Sequence, residues 1–416
     1  MHDALYDTLK RLPPAPRYLV AYSGGLDSHV LLHALAALRG EGFPEVRALH
    51  VHHGLSPQAE RWVSHCRGVC DSLGVPLEVL YVDARGAEGE SPEAAARSAR
   101  YQAFKDRLLP GDGLLTAHHR RDQAETLLLQ LLRGAGPAGL ASMPLWQPLG
   151  AGWHGRPLLD VSRGRLEAHA RTHGLRWIED DSNLDTRFDR NLLRCHVMPA
   201  LRERWPALDE TLARAAGHQA EALALLGDLA RQDLEGLRGE TPGTLSVVAL
   251  TVLRPARIRN VLRFWLMEKG LPLPSLARLQ SVLDDVLTAG ADTTPCVVWD
   301  GAQIRRYRDA LHAMVPPARH DPRQHLRWDG KSDLPIPSLG VVLTPDWLRG
   351  QGVTPETNES FTVSFRQGGE TLRLRGRTRE LKKLMQERGV PPWERERIPL
   401  VYRGETLVAV FWPGDG

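Results

Sequence analysis

The sequence predicts an α/β protein: a doubly wound parallel sheet, then a mostly helical segment, then a small α+β segment. Three observations lead there. Over residues 17–132, short apolar runs alternate with stretches of helical apolar spacing, the signature of βαβ units. From Asp209 to about Arg238, Leu212, Ala216, Leu223, Leu226, Ala230, Leu234 and Leu237 recur at helical steps or their multiples. Beyond a Pro-rich stretch at 316–322, period-two runs take over.

The elements follow in order. Residues 17–22 form an apolar run that ends at a Gly pair and read as a buried parallel strand. Helical spacing over 29–38 follows, then a strand at 46–51, a helix at 58–73 closed by Gly74, and a strand at 77–82. Ser91, Pro92 and Glu93 are a cap, a first-turn proline and a first-turn acid, which starts a helix running to about Leu109. A fourth strand is expected at 113–117 and a helix at 122–132. In the middle segment, helices are expected at 256–268 and 275–287, with short strands at 297–299 and 304–307. The last segment has strands at 361–365, 371–375 and 407–411. A helix is expected over 379–388, with Thr378 as cap and Gly389 and Pro391 as stops. The expected domains are 1–205, 206–315 and 323–416, joined at 316–322 by a linker.

Composition narrows the class. A chain of 416 residues has room for two or three cores. Its apolar runs are too short to cross a bilayer, and Met1 to Leu5 lacks a secretory pattern, so a cytoplasmic location without a membrane partner is expected. Cys66, Cys70, Cys195 and Cys296 are too scattered for a disulfide framework, and Cys66 and Cys70 have a helical packing spacing. The net charge of +3 does not announce nucleic acid. Only six of the 53 basic residues are lysines, so arginine placement carries more information than the total.

The loop Ser23-Gly24-Gly25-Leu26-Asp27-Ser28 joins the first strand to the first helix. Two glycines let backbone approach an anion, and the helix start offers unpaired N–H groups and a favourable dipole. Asp27 suits a Mg²⁺ ion or a cationic substrate. The loop lacks the Gly-Lys-Ser/Thr of a Walker A motif and the Gly-x-Gly-x-x-Gly of a dinucleotide site. It resembles the loop of PP-loop ATP pyrophosphatases, whose adenine nucleotide alpha hydrolase-like fold implies ATP cleavage between the α and β phosphates.

Further segments choose among these enzymes. They are His50-Val51-His52-His53-Gly54-Leu55, the helix stretch from Glu93 to Tyr101, and Thr116 to Thr126 with His118, Asp122 and Glu125. Arg133-Gly134-Ala135-Gly136, Glu179 to Asn183, Arg190 to Arg194 and Pro199 to Leu201 follow. At the C-terminal end stand Arg366 to Glu370, Leu381 to Leu384 and Val390 to Arg395. In this order they resemble the tRNA(Ile)-lysidine synthetase family, densely over 17–205 and again at the C-terminal end. His52 and the pair Arg120-Arg121 depart from the family's pattern.

The resemblance implies ligation of L-lysine to C2 of the wobble cytidine of an isoleucine tRNA with a CAU anticodon. ATP first adenylates the cytidine, the lysine ε-amine then attacks, and AMP leaves. ATP and Mg²⁺ are the expected cofactors, and the tRNA, lysine and a homodimer the expected partners. The candidate catalytic residues are Asp27, Asp122, Glu125, His118 and Arg97; those for the nucleotide are Ser23 to Ser28, His50, His118, Arg190 and Arg194. Asp122 and Glu125 lie three apart and share a helix face, suited to an ammonium group, although an acidic first turn has the same pattern. Arg97 and Arg100 share another face, for phosphate, the lysine carboxylate or solvent. Arg190 and Arg194 suit ATP phosphates or the tRNA backbone, on a stretch from 179 to 194 that reads as an ordered loop. His50, His52 and His53 lack a cysteine or acid to complete a zinc set. Arg366, Arg373, Arg375, Arg377, Arg379, Lys382, Lys383, Arg388, Arg395 and Arg397, with Trp393 among them, suit tRNA phosphates and stacking. The alternative is another PP-loop tRNA-modifying enzyme, such as a thiolase, which normally needs cysteines.

Overall fold

The computed structural model describes residues 8, 13–38, 40, 43–54, 58–83, 92–179, 185–290, 293–356, 359–374 and 377–414. Its contacts cluster into two compact units, 1–225 and 226–416. The expected cap at Ser91 and the residues Asp180 to Asn183 lie outside the described set.

Unit one is built on a six-stranded sheet of order β3-β2-β1-β4-β6-β5. Its strands are β1 (Arg17–Ala21), β2 (Glu45–His52), β3 (Leu77–Tyr81), β4 (Gly113–Leu115), β5 (Trp146–Leu149) and β6 (Gly152–Gly155). All neighbours run parallel except β5, which pairs antiparallel with β6. Strand β1 shows why the sheet is doubly wound. Tyr18 and Val20 point into a core with helices α1 (Leu26–Ala37), α2 (Ala59–Leu73) and α5 (Arg163–Thr172). Leu19 points the other way, into a core with Phe104 of α3 (Pro92–Lys105). The period of two in a strand sends its neighbours to opposite faces, and both are covered. A fourth helix, α4 (Arg120–Leu132), follows β4.

The buried carboxylate of Asp112 ties the loop before β4 to β1. It accepts from Arg17 Nε at 2.8 Å, from Arg17 Nη2 at 2.7 Å and from the amide of Leu109 at 2.8 Å.

Helix α6 (Leu208–Glu235) contains the boundary between the units. Unit two packs α7 (Pro255–Glu268) and α8 (Leu276–Ser281) against a sheet of order β7-β10-β9-β8, from β7 (Leu245–Ser246), β8 (Cys296–Trp299), β9 (Ala302–Tyr307) and β10 (Ala310–Met314). The sheet is wider than the two strands expected, because β10 returns antiparallel to β9, burying its own Leu311, and pairs with β7 on its other side. The last part is a second antiparallel sheet, β11-β14-β17-β18, from Leu326–Trp328, Phe361–Ser364, Leu400–Arg403 and Thr406–Val410. Two hairpins join it: β12 (Leu334–Ile336) with β13 (Val341–Leu343), and β15 (Thr371–Leu374) with β16 (Arg377–Glu380).

Several boundaries need correction. Helix α3 ends at Lys105, not near Leu109, since Leu109 must reach Asp112. Thr378 is not a cap and Arg379 is not helical: both pair in β16, and the helix α9 is Leu381–Glu387. The stretch read as a loop up to Arg194 is helical from Asp189 onwards.

Candidate active site

The carboxyl ends of β1, β2 and β4 open on a cleft of about 1040 Å³. It is lined by Ser23, Gly25, Leu26, Asp27 and Ser28, by His50, Arg97, His118, Asp122 and Glu125, and by Arg190 and Arg194. Thus nearly every site residue read from the sequence borders one cleft, at the edge where open α/β sheets bind ligands. Gly24 is not among the lining residues; it shapes the loop from below.

The loop's geometry explains its residues. Gly24 has φ +86°, which only glycine adopts without strain. A Cβ there would lie 3.1 Å from Cys66 Sγ and 3.2 Å from Ile178 Cδ1. Ser28 Oγ donates to Gly25 O at 3.0 Å and accepts from the amide of Ser23 at 3.2 Å, while Ser23 Oγ accepts from the amide of Gly25 at 3.3 Å. Both hydroxyls therefore brace the loop. Gly25, at the N-cap of α1, provides no side-chain cap. The first amides of the helix thus lack intrahelical partners, the condition for an anion site.

Asp27 is not isolated. Both its oxygens accept from Arg163 Nη1 at 2.7 Å, and Arg163 Nε donates to Glu167 at 3.0 Å. His119 Nε2 stands 3.6 Å from Asp27 Oδ2. No sequence signal marked Arg163, which is 136 positions from its partner.

Asp122 and Glu125 lie on one face of α4, buried, with Glu125 only 1% exposed. They meet Arg190 and Arg194. Arg190 donates to Asp122 Oδ1 at 2.7 Å and to Glu125 Oε2 at 3.2 Å. Arg194 donates to Glu125 Oε1 at 2.9 Å, to Glu125 Oε2 at 2.8 Å and to Asp122 Oδ1 at 3.3 Å. Two carboxylates and two guanidinia form a quartet of balanced formal charge. Sequence reasoning gave the two pairs separate partners, whereas the fold joins them. Arg190 lies in the helix Asp189–Leu192 and Arg194 in the π turn Leu193–Val197 that continues it. A π turn holds more residues per turn than an α turn, which keeps residues four apart on one side.

Electrostatics separate the neighbouring histidines. Burial works against charge on His119, but the nearby carboxylates of Asp27 and Asp122 outweigh this and raise its pKa. Burial lowers the pKa of His118, and Arg156, Arg190 and Arg97 reinforce that against the opposing Asp122. Burial likewise disfavours the Asp122 carboxylate, yet the charges of His119 and Arg190 and the amide of His119 hold its pKa below the ordinary carboxylate value. His119 also caps α4: its Nδ1 accepts from the amide of Arg121 at 3.2 Å while Asp122 accepts from the amide of His119 at 2.9 Å.

The remaining expected residues divide. His50 is buried, and its Nδ1–H is spent on Tyr22 O at 2.9 Å, tying β2 to the end of β1. Arg97 is exposed on α3, its guanidinium 4.9 Å from the Tyr101 ring centroid. Cys66 and Cys70 are buried, and burial pushes both thiols up to about 12, so neither is a ready nucleophile. Among the described residues, no group of three or more His, Cys, Asp or Glu side chains is arranged to hold a metal ion. Also among them, no helix is long and apolar enough to cross a membrane.

Many of the C-terminal basic residues serve the fold. Arg397 donates to Ala318 O and Ser338 O, Arg395 to Val390 O and Tyr307 Oη, and Arg388 stacks on Trp412. Trp393, expected to stack on a base, instead packs against Arg305, Tyr307 and His312. Arg373, Arg377 and Lys382 are exposed without an ion-pair partner among the described residues, and Arg375 lies outside that set.

A parallel sheet with an uncapped Ser-Gly-Gly loop at its carboxyl edge defines a PP-loop protein, and residues 2–201 match the PP-loop domain family. Residues 245–312 match the TilS substrate binding domain and residues 361–412 the TilS substrate C-terminal domain. A protein of Alkalilimnicola ehrlichii called tRNA(Ile)-lysidine synthase is 47% identical over 98% of this chain and 92% of its own length. Proteins of the same name from Methylococcus capsulatus and Coxiella burnetii are 45% and 43% identical, over 94% and 98% of this chain and 90% and 91% of theirs. The chain belongs to the tRNA(Ile)-lysidine synthase family.

Proposed function

We propose that this protein is a ligase that attaches L-lysine to C2 of the wobble cytidine of a CAU-anticodon isoleucine tRNA, cleaving ATP to AMP and pyrophosphate. The observation that carries the reading is the meeting of an anion-binding loop with the Asp122/Glu125–Arg190/Arg194 quartet in one cleft, in a chain of this family.

The amides at the start of α1 bind phosphate oxygens. Arg190 and Arg194 exchange their carboxylates for ATP phosphates, which frees Asp122 and Glu125 to hold the lysine ammonium and to accept a proton from it. The cytosine O2 attacks the α-phosphorus and pyrophosphate leaves. The lysine ε-nitrogen then attacks C2, and the C2–O bond breaks with departure of AMP. Asp27 fits a single magnesium ligand: each oxygen accepts from Arg163 and keeps a second lone pair, on a side chain 29% exposed at the cleft. Magnesium, when bound, neutralises phosphate charge.

Segments 206–315 and 323–416 act as the tRNA-holding parts, with Arg373, Arg377 and Lys382 as contacts. Because the last segment packs against β9 through Arg395 and Tyr307, charge reversal tests this better than truncation. The triple variant R373E/R377E/K382E weakens tRNA binding and reduces its salt dependence. Unchanged affinity refutes that role.

A tRNA thiolase is the second reading. The buried, unreactive thiols of Cys66 and Cys70 disfavour it. The deciding assay measures AMP release with CAU-anticodon isoleucine tRNA, with and without lysine. Release that ignores lysine or tRNA overturns the proposal.

A further inference from the structure

Thr116, His154 and Arg156 carry no role in the reaction above, yet they form a buried hydrogen-bonded chain ending at His118. Strands β4 and β6 run parallel with Leu114 opposite His154, which brings the residue after β4 beside the end of β6. Arg156 Nη2 lies 3.2 Å from His154 Nδ1. His154 Nε2 lies 2.8 Å from Thr116 Oγ1, and Thr116 Oγ1 lies 2.7 Å from His118 Nδ1. All three supporting residues are buried.

The direction of such a chain is set by a member that can only donate. Arg156 is that member, since a guanidinium has N–H groups and no acceptor. His154 Nδ1 must then present a lone pair. The ring is neutral, because full burial and the charge of Arg156 push its pKa down to about 3. Its single proton therefore sits on Nε2 and is donated to Thr116 Oγ1. The hydroxyl has one proton, which it passes as a donor to His118 Nδ1.

We infer that the Arg156–His154–Thr116 chain holds His118 as a neutral imidazole with its proton on Nε2, an N–H donor to an oxygen of the substrate and not a general base. Thr116 is its positioning residue. The tautomer follows from hydrogen-bond chemistry alone; the role of the donor rests on the proposed function. In that reaction, negative charge builds on phosphate oxygens as the α-phosphorus is attacked. A fixed, neutral donor stabilises such charge without having to reorganise. The adjacent His119 faces Asp27 and Asp122 and has the opposite electrostatic bias, so the two rings serve different ends. The only basic nitrogen of His118 is occupied by the Thr116 hydroxyl, which removes this residue from the list of proton acceptors.

The test uses the full-length protein with ¹⁵N-labelled histidine. The His118 signals, assigned by their loss in H118Q, are expected to report a protonated Nε2 and a bare Nδ1, unchanged between pH 5 and 8. A protonated Nδ1, or a ring that titrates in that range, overturns the inference. In activity assays, T116V is expected to lower kcat roughly tenfold, as loss of an orienting partner does, with the KM for tRNA unchanged. T116S, which keeps the hydroxyl, is expected to retain kcat within about twofold. Equal losses in T116S and T116V refute the positioning role. If the wild-type protein shows no lysine-dependent AMP release, the proposed function falls while the labelling experiment still decides the tautomer.

Discussion

Removing Glu125 tests whether the quartet at the cleft holds the first unit together. Its carboxylate is 1% exposed and accepts three charge-assisted hydrogen bonds, one from Arg190 and two from Arg194. In E125A, Asp122 alone faces two guanidinia. Breaking a buried ion pair from one side costs about 3–5 kcal/mol. Arg190 and Arg194 remain 26% and 38% exposed, so water partly compensates them and the lower figure, about 3 kcal/mol, applies. R194A leaves Glu125 the single bond from Arg190 and is expected to cost about 2 kcal/mol. The double variant loses little beyond E125A, about 3.5 kcal/mol, which gives a coupling of about 1.5 kcal/mol. The assay is urea unfolding read by thiol labelling. Cys66 and Cys70 are fully buried in unit one and react only when it opens. Additivity of the two single losses within about 0.5 kcal/mol would show that the residues do not act as a unit, and would refute the reasoning.

Three further outcomes are expected. G24A forces a positive φ on a residue with a Cβ, costing about 1–2 kcal/mol, and pushes against Cys66 and Ile178; a raised KM for ATP is expected, and an unchanged one counts against the loop geometry. D112A leaves Arg17 without its carboxylate and is expected to cost unit one about 3–5 kcal/mol in the same labelling assay, a loss below about 1 kcal/mol contradicting the account. Stability also falls with acid through His154. Its folded pKa of about 3 lies below the ordinary 6.5, so its contribution is complete above the ordinary value and is lost as pH falls towards the folded one. By pH 5 the loss is about 2 kcal/mol, and H154Q is expected to flatten that part of the pH profile; an unchanged slope excludes His154 as the cause.

The main architecture was legible because burial leaves periodic marks. Strand β1 alternates its faces, helix α2 ends at Gly74 in a left-handed cap, and helix α6 carries an apolar stripe. What was missed had weaker local marks. Strands β5 and β6 contain Pro148, Gly152 and Gly155, which read as turn residues, yet Gly152 is needed where a Cβ would collide with the carbonyl of Asp112. Strand β16, Arg377–Glu380, is exposed along its length, so no alternation distinguished it from the start of a helix. At the site, the loop from Ser23 to Ser28 and the segment from His118 to Glu125 stood out because each keeps its chemistry within a few residues. Arg163 and the His154–Arg156 pair did not, since Arg163 and His154 meet partners 136 and 38 positions away through the fold.

By itself the sequence determined the kind of sheet, the position of the Ser23–Ser28 loop and most of the polar residues at the sheet's carboxyl edge. All of these follow from backbone periodicity, from the need for glycine at a positive φ and from the connection rules of parallel strands. Only the tertiary structure decided who pairs with whom: Arg163 with Asp27, Arg190 and Arg194 with both Asp122 and Glu125, and Arg156 with His118 through two intermediaries. Each partnership with the loop or α4 spans many positions along the chain. In an Arg-rich sequence nothing local distinguishes the arginine that will close on a given carboxylate. That choice is made when the sheet and its helices bring the side chains together, where partial burial makes an unpaired charge costly.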